Sequence, residues 1–289
     1  MPITGPPLPP GRRLQLPGRG QTFIREITGP PGAPTLFLLH GLSATADLNW
    51  FTCYHALGRE FGVVAIDHRG HGHGIRSVRR FRLEDCADDV AAVCHELGLE
   101  RIIPVGYSMG GPIAQLTWRR HRELVAGLVL CATARTFAEQ SPRNRVLMSG
   151  LLGMSAAARM APVALRDQFF KTFVGRRLPD TPMTRWAASE LGHNDAATVL
   201  QATWAVSSYD SRRWIGEVDV PTAVVMTTHD RLVAPDRQRK LAESIPGATV
   251  YPVRADHGAV AMAANAFVPA LLEACEDVAS RAGIGVPAR

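Results

Sequence analysis

Arg101-Ile-Ile-Pro-Val105, then Gly106-Tyr107-Ser108-Met109-Gly110-Gly111, then Pro112-Ile-Ala-Gln-Leu-Thr-Trp118: this stretch changes character twice. Its first part is a short apolar run of the kind buried as a strand. Its last part carries apolar side chains at helical spacing. Between them sits a serine with a glycine two residues to either side. Strand, glycine-flanked serine, helix is the setting in which a G-x-S-x-G turn lifts a serine hydroxyl above a sheet. The glycines let neighbouring backbone pass without a Cβ clash. The N-terminus of the following helix favours negative charge beside the serine. A glycine-rich chain also produces this pattern by accident, so the other strand ends must support it.

Outward from this turn, short apolar runs alternate with helical patterns. Residues 21–27 alternate as a strand, 29–34 form a turn, and Thr35–Leu39 is a continuous apolar run ending at His40-Gly41-Leu42-Ser43. A helix is expected over 50–59. A buried strand is expected over 61–66, ending at Asp67-His68-Arg69-Gly70-His71-Gly72. Leu83, Cys86, Ala87, Val90, Ala91, Cys94 and Leu97 trace one helix face. Beyond the turn, strands are expected over 124–130, 221–226 and 248–253. Helices are expected near 235–244 and from about residue 259.

This alternation implies an α/β chain: a mostly parallel twisted sheet with helices on both faces and functional groups at the carboxyl ends of the strands. Residues 135–213 interrupt it. They are helix-like, rich in Ala, Met, Leu and Arg, and read as a helical cap or lid inserted into the core. The expected division is an irregular Pro- and Gly-rich segment over 1–20, a core made of 21–134 and 214–289, and the cap over 135–213.

Composition narrows the function classes. The chain has 289 residues, 46% hydrophobic and 20% charged, which fits a globular protein with a sizeable core. The net charge is +6 and the isoelectric point about 9.4. The densest basic run is Arg76-Ser-Val-Arg79-Arg80-Phe-Arg82. No nucleic-acid-binding motif surrounds it, so it reads as a solvated loop, with contact to acidic lipid headgroups as the minor option. The five cysteines are odd in number and lack C-x-x-C spacing, which suggests neither a disulfide framework nor a zinc site. A reducing compartment fits them. The N-terminal run has no apolar h-region of a signal peptide and no apolar run is long enough to span a bilayer, so a cytoplasmic location is the expectation.

A serine alone is a poor nucleophile; it needs a base, and the base needs an orienting acid. Both should come from later strand ends. Asp230, in Met226-Thr-Thr-His229-Asp230, sits at the tip of one. His257, in Arg254-Ala-Asp256-His257-Gly258, lies just past the last. The order Ser108, Asp230, His257 is the Ser…Asp…His order of α/β hydrolases. With His40-Gly41 after a strand and the Asp67–Gly72 turn, these motifs make the chain resemble α/β-hydrolase-fold enzymes over about 21–280. It is similar to their bacterial esterase and lipase branch, which includes monoacylglycerol-lipase-like proteins.

That resemblance implies a nucleophilic Ser108, a general base and acid in His257, an orienting Asp230, and an oxyanion hole from the backbone N–H groups of Leu42 and Met109. It implies no cofactor and no metal. One departure stands out: many relatives carry a glycine three residues before the triad acid, where this chain has Thr227. A serine at the turn argues against dehalogenase and epoxide-hydrolase chemistry. Carboxylic esters are the leading expectation. Thioesters, lactones, carbon–carbon bonds beside a ketone and perhydrolysis stay open, as does a small-molecule binding module that performs no chemistry.

Other candidates have blander readings. His68, His71 and His73 cluster, but glycines alternate with them and only Asp67 sits at ligand spacing, so a structural turn is expected rather than a metal site. His193 and Asp195 read as a helix cap or loop, and Cys131 as a buried core thiol. Asp256 adjoins His257 in sequence and makes a poor orienter. His40 reads as a loop organiser that borders the substrate pocket. Met148, Met154 and Trp204 in the insertion are expected to line an apolar acyl pocket, with Trp186 and Trp214 as further aromatic walls. The expected partner is a small acyl ester, not nucleic acid; oligomeric state is left open.

Overall fold

The computed structural model describes residues 5–137 and 180–285. Its centre is an eight-stranded sheet in the order β1-β2-β4-β3-β5-β6-β7-β8. Six neighbouring strands run parallel: β4 (Gly62–Ile66), β3 (Thr35–Leu39), β5 (Ile102–Tyr107), β6 (Leu128–Cys131), β7 (Thr222–Thr227) and β8 (Thr249–Val253). At one edge β2 (Gly20–Ile27) runs antiparallel to β4, and β1 (Gly11–Leu16) antiparallel to β2.

Side-chain alternation along these strands builds two cores. Phe37, Leu39, Val64, Ile66, Leu128, Leu130 and Val224 face one side; Leu36, Leu38, Val63, Ala65, Val129 and Val225 face the other. The first face is covered by α3 (Leu83–Leu97) and α4 (Gly110–Arg120), which bury Val90, Val93, Ile113 and Trp118. The second is covered by α1 (Ala46–Trp50), α2 (Tyr54–Leu57) and the C-terminal helix, through Trp50, Tyr54, Leu57, Phe267 and Leu271. Strands buried on both faces need continuous apolar runs, which is why β3, β4 and β5 read so plainly in the sequence.

Several local expectations need correction. Residues 1–20 are not irregular throughout. Leu14 and Leu16 alternate with Arg13 and Gln15, and the pair Leu16↔Gly20 closes a tight turn at Gly18, whose φ is +68°. The expected helix over 50–59 is instead the last residue of α1, a turn and the four-residue α2. The Trp50 carbonyl is taken by the Cys53 N–H at 2.8 Å, an i→i+3 bond that tightens the chain between them. The strand expected over 124–130 is shorter: a 3₁₀ turn, Arg122–Leu124, precedes β6.

Of the insertion, the described part holds α5 (Pro182–Gly192) and α6 (Ala196–Ser207). Asp195 caps α6 by accepting the Thr198 N–H at 2.7 Å. Next to it, Asn194 donates to the Ser43 carbonyl at 2.7 Å and accepts the Gly72 N–H at 2.8 Å. The α5–α6 junction is thus tied to the loops that leave β3 and β4. Further on come α7 (Pro235–Ala242), α8 (Ala259–Met262) and α9 (Ala264–Arg281), so the helix expected from 259 is broken at Ala263. Among the described residues no helix is long and apolar enough to cross a membrane.

Candidate active site

Ser108 follows β5 directly, at φ +52°, a left-handed conformation that costs a residue with a Cβ about 1 kcal/mol or more. The surroundings enforce it. The Ser108 N–H donates to the Cys131 carbonyl at 2.9 Å, and the Ser108 carbonyl accepts the Thr133 hydroxyl at 2.8 Å and the Gly111 N–H at 2.9 Å. The flanking glycines are steric necessities. A Cβ on Gly106 would lie 2.2 Å from the Gly110 carbonyl oxygen, and one on Gly110 would lie 2.1 Å from that of Leu39.

Two loops bring polar groups to this serine. The Ser108 hydroxyl and His257 Nε2 are 3.0 Å apart, and His257 Nδ1 lies 2.7 Å from Asp230 Oδ2. A carboxylate at Nδ1 places the ring proton there and leaves Nε2 free to accept the serine hydroxyl. Asp230 is 4% exposed, and burial pushes its carboxyl up. Hydrogen bonds from His257, from the Thr227 hydroxyl and from the Val233 N–H outweigh that and hold it below the usual carboxylate range. Asp256 turns elsewhere: it accepts the His257 N–H at 2.7 Å and pairs with Arg231.

The loop after β3 completes the floor. The Gly41 N–H donates to Asn49 Oδ1 at 3.0 Å. Among the described residues, neither the Leu42 nor the Met109 N–H has an acceptor. His40 is fully buried and does not border the cavity. Its Nδ1 donates to the Gly41 carbonyl at 2.8 Å, and its Nε2 accepts the His68 N–H at 3.0 Å, so it braces two loops against each other. Burial and the neighbouring His68 and His71 push its pKa well down. His68 and His71 are likewise buried, driven to about 3 and about 4 chiefly by desolvation. Asp67 accepts the Ala46 and His73 N–H groups at 2.8 and 2.7 Å and ties the turn that follows β4.

Ser108 and His257 open into a cavity of about 440 Å³. Leu42, Leu48, Val206, Val233, Val260 and Met262 are among the described apolar side chains that line it. Trp204 is not there. It borders a separate hollow of about 490 Å³ with Leu116, Tyr209 and Trp214, and Arg80 stacks on its ring at 4.0 Å. Trp186 packs edge-on against Phe51, and Trp214 stacks on Trp118. Met148 and Met154 lie outside the described residues. The basic loop is partly tied down: Arg80 covers Trp204, the Phe81 N–H donates to Gln201, and Val78 projects into solvent at 91% exposure.

The sequence reading missed three supports. Tyr107 donates its hydroxyl to the His257 carbonyl, Thr227 to Asp230, and Gln238 holds Thr227 from α7. Only Thr227 left a trace, as a departure from the glycine expected three residues before the acid.

A family model described as the alpha/beta hydrolase fold matches residues 34–260. The putative carbamate hydrolase RutD of Agrobacterium fabrum is 28% identical over 222 residues, covering 74% of this chain and 82% of that one. The pimeloyl-[acyl-carrier protein] methyl ester esterase of Chromobacterium violaceum is 28% identical over 251 residues, covering 84% and 94%. Among solved structures, the enol-lactonase of Burkholderia xenovorans superposes with a TM-score of 0.73 at 24% identity, over 91% of this chain and 99% of that one.

Proposed function

The chain belongs to the α/β-hydrolase fold family, and from that premise we propose that it is a serine hydrolase cleaving carboxylic esters through an acyl-enzyme intermediate. The observation that carries this reading is the unbroken run of contacts from Ser108 through His257 to Asp230 at the floor of a largely apolar cavity. Ser108 Oγ attacks the acyl carbon while His257 Nε2 takes its proton. The proton then passes to the leaving alkoxide, and an alcohol departs. Water, deprotonated by the same ring, attacks the acyl-enzyme; the acid is released and Ser108 regains its proton. Asp230 keeps the ring in the required tautomer and offsets the imidazolium charge. The Leu42 and Met109 N–H groups receive the oxyanion, a role worth about 3 kcal/mol of barrier per donor.

The substrate class is an ester with an apolar acyl group of medium length, seated among Leu42, Val206, Val233 and Met262. Two relatives are named for the hydrolysis of a carbamate and of a methyl ester, which is consistent with acyl chemistry at an sp² carbon. The test is hydrolysis of p-nitrophenyl esters of increasing acyl length by the wild type and by Ser108→Ala, with fluorophosphonate labelling alongside. Ester turnover and labelling, both abolished by the substitution, are expected. A folded wild type that neither hydrolyses any ester nor takes the label overturns the reading.

A further inference from the structure

We propose that Thr227, seated by Gln238, is a positioning residue whose hydroxyl holds the Asp230 oxygen facing His257 and sets how far into acid the site keeps working. This rests on the hydrolase reading of Ser108, His257 and Asp230.

The hydrogen-bond directions follow from the backbone. Gln238 is fully buried. Its Oε1 accepts the Thr227 N–H at 3.0 Å, which fixes the amide and turns Nε2 the other way. Nε2 donates to the Val233 carbonyl at 2.8 Å and to Thr227 Oγ1 at 2.9 Å. With Oγ1 already accepting, its own proton goes to the nearest acceptor, Asp230 Oδ2 at 2.7 Å; Gln238 Oε1 is farther, at 3.3 Å. Nε2 also lies 3.1 Å from that same carboxylate oxygen. The two hydrogen bonds accepted by the other oxygen, from the Leu232 and Val233 N–H groups, fix the carboxylate plane. One oxygen of Asp230 is therefore shared among the Thr227 hydroxyl, the more distant Gln238 amide and the His257 ring.

That sharing has an electrostatic effect. A hydroxyl donated to a carboxylate disperses its charge and lessens its hold on a neighbouring imidazolium. Without the Thr227 hydroxyl, Oδ2 would hold the protonated ring of His257 more strongly. The base would then be blocked by a proton at higher pH. A glycine at this position could not supply the bond.

None of the other ionisable groups around this pair bonds to the Thr227 side chain. They are Tyr107 below the ring, Cys131 at the end of β6, His229 beside Thr228, and Asp256 with its partner Arg231. On α7, Asp236 and Arg239 pair with each other, Lys240 is exposed, and Arg237 reaches the Thr136 carbonyl. Arg254 is exposed.

The experiment compares wild type, Thr227→Val and Thr227→Ser across the pH profile of kcat/KM with p-nitrophenyl butyrate. The same proteins are titrated by NMR on the His257 ring. Thr227→Val should move the acid limb and the ring titration upward together by about half to one pH unit, and Thr227→Ser should restore both. If the valine does not fold, Thr227→Ala removes the same bond with less bulk. A limb and a ring titration that stay put in a folded variant lacking the hydroxyl overturn the proposal. A folded wild type that neither turns over any ester nor takes a fluorophosphonate label overturns the hydrolase reading instead, and the ring titration still reports on Thr227.

Discussion

Tyr107 donates its hydroxyl to the backbone carbonyl of His257 at 2.5 Å, so the residue preceding Ser108 clamps the loop carrying the ring that Ser108 faces. Tyr107→Phe keeps the ring and removes only the clamp. Leaving that carbonyl without its partner should cost about 1–2 kcal/mol and lower the melting temperature by a few degrees. The value of kcat should fall by about tenfold while KM holds. Thermal melts and steady-state kinetics on the same preparation check this. A lower melting temperature with unchanged kcat would mean that the clamp serves stability alone.

Ser108 is held at φ +52°, a region that glycine enters without strain. Ser108→Ala and Ser108→Gly should both be inactive on esters, yet differ in stability. Glycine should be the more stable by about 1 kcal/mol, reversing its usual disadvantage. Urea unfolding of the two variants measures the difference, and an alanine variant at least as stable as the glycine one would contradict it.

A methyl group on Gly110 would lie 2.1 Å from the Leu39 carbonyl oxygen, where backbone meets backbone. Gly110→Ala should therefore push the start of α4 away from β3, at a cost of about 3 kcal/mol. It should also displace the Met109 N–H. Loss of ester turnover is expected to exceed what the unfolded fraction at assay temperature explains. Normal turnover with a normal urea midpoint would show that the strand and helix can part without consequence.

Acid should destabilise the fold before the carboxylates titrate in bulk. His68 and His71 have folded-state values of about 3 and about 4, below the ordinary 6.5, and His40 is also depressed. The unfolded chain takes up these protons as pH falls below 6.5 while the folded chain does not, so stability falls with pH. Asp67 acts oppositely: burial raises it to about 7, so the folded state gains one proton there first. Three protons against one leaves about two, or on the order of 2–3 kcal/mol per pH unit between about pH 6 and 4. Urea midpoints at pH 7, 6, 5 and 4.5 test the slope, and a flat profile would refute it.

The parts of the site legible in the sequence are those encoded within a few residues. Gly106, Ser108 and Gly110 lie inside one turn, and their spacing carries its own steric reason. The parallel strands were legible because burial on both faces demands unbroken apolar runs such as Thr35–Leu39. The first strand hid because only Leu14 and Leu16 mark it, within a stretch crowded with proline and glycine. Trp204 was misplaced because what holds it is Arg80, far away in sequence, and no local pattern reports a cation stacked on a ring. Gln238 was invisible for the same reason: a glutamine on a short polar helix looks solvent-facing until β7 supplies the N–H it caps.

The five cysteines, all reduced and buried, make the chain a reporter of its own opening. Thiolates, not thiols, react with maleimides, and burial pushes Cys53 and Cys94 up to about 12. A folded molecule should be silent to such reagents, so the rate at which label accumulates times how often the interior is exposed. A cysteine placed at Val78, out in solvent, would add one fast site on a quiet background, giving a handle for immobilisation or for a single fluorophore without removing any native thiol.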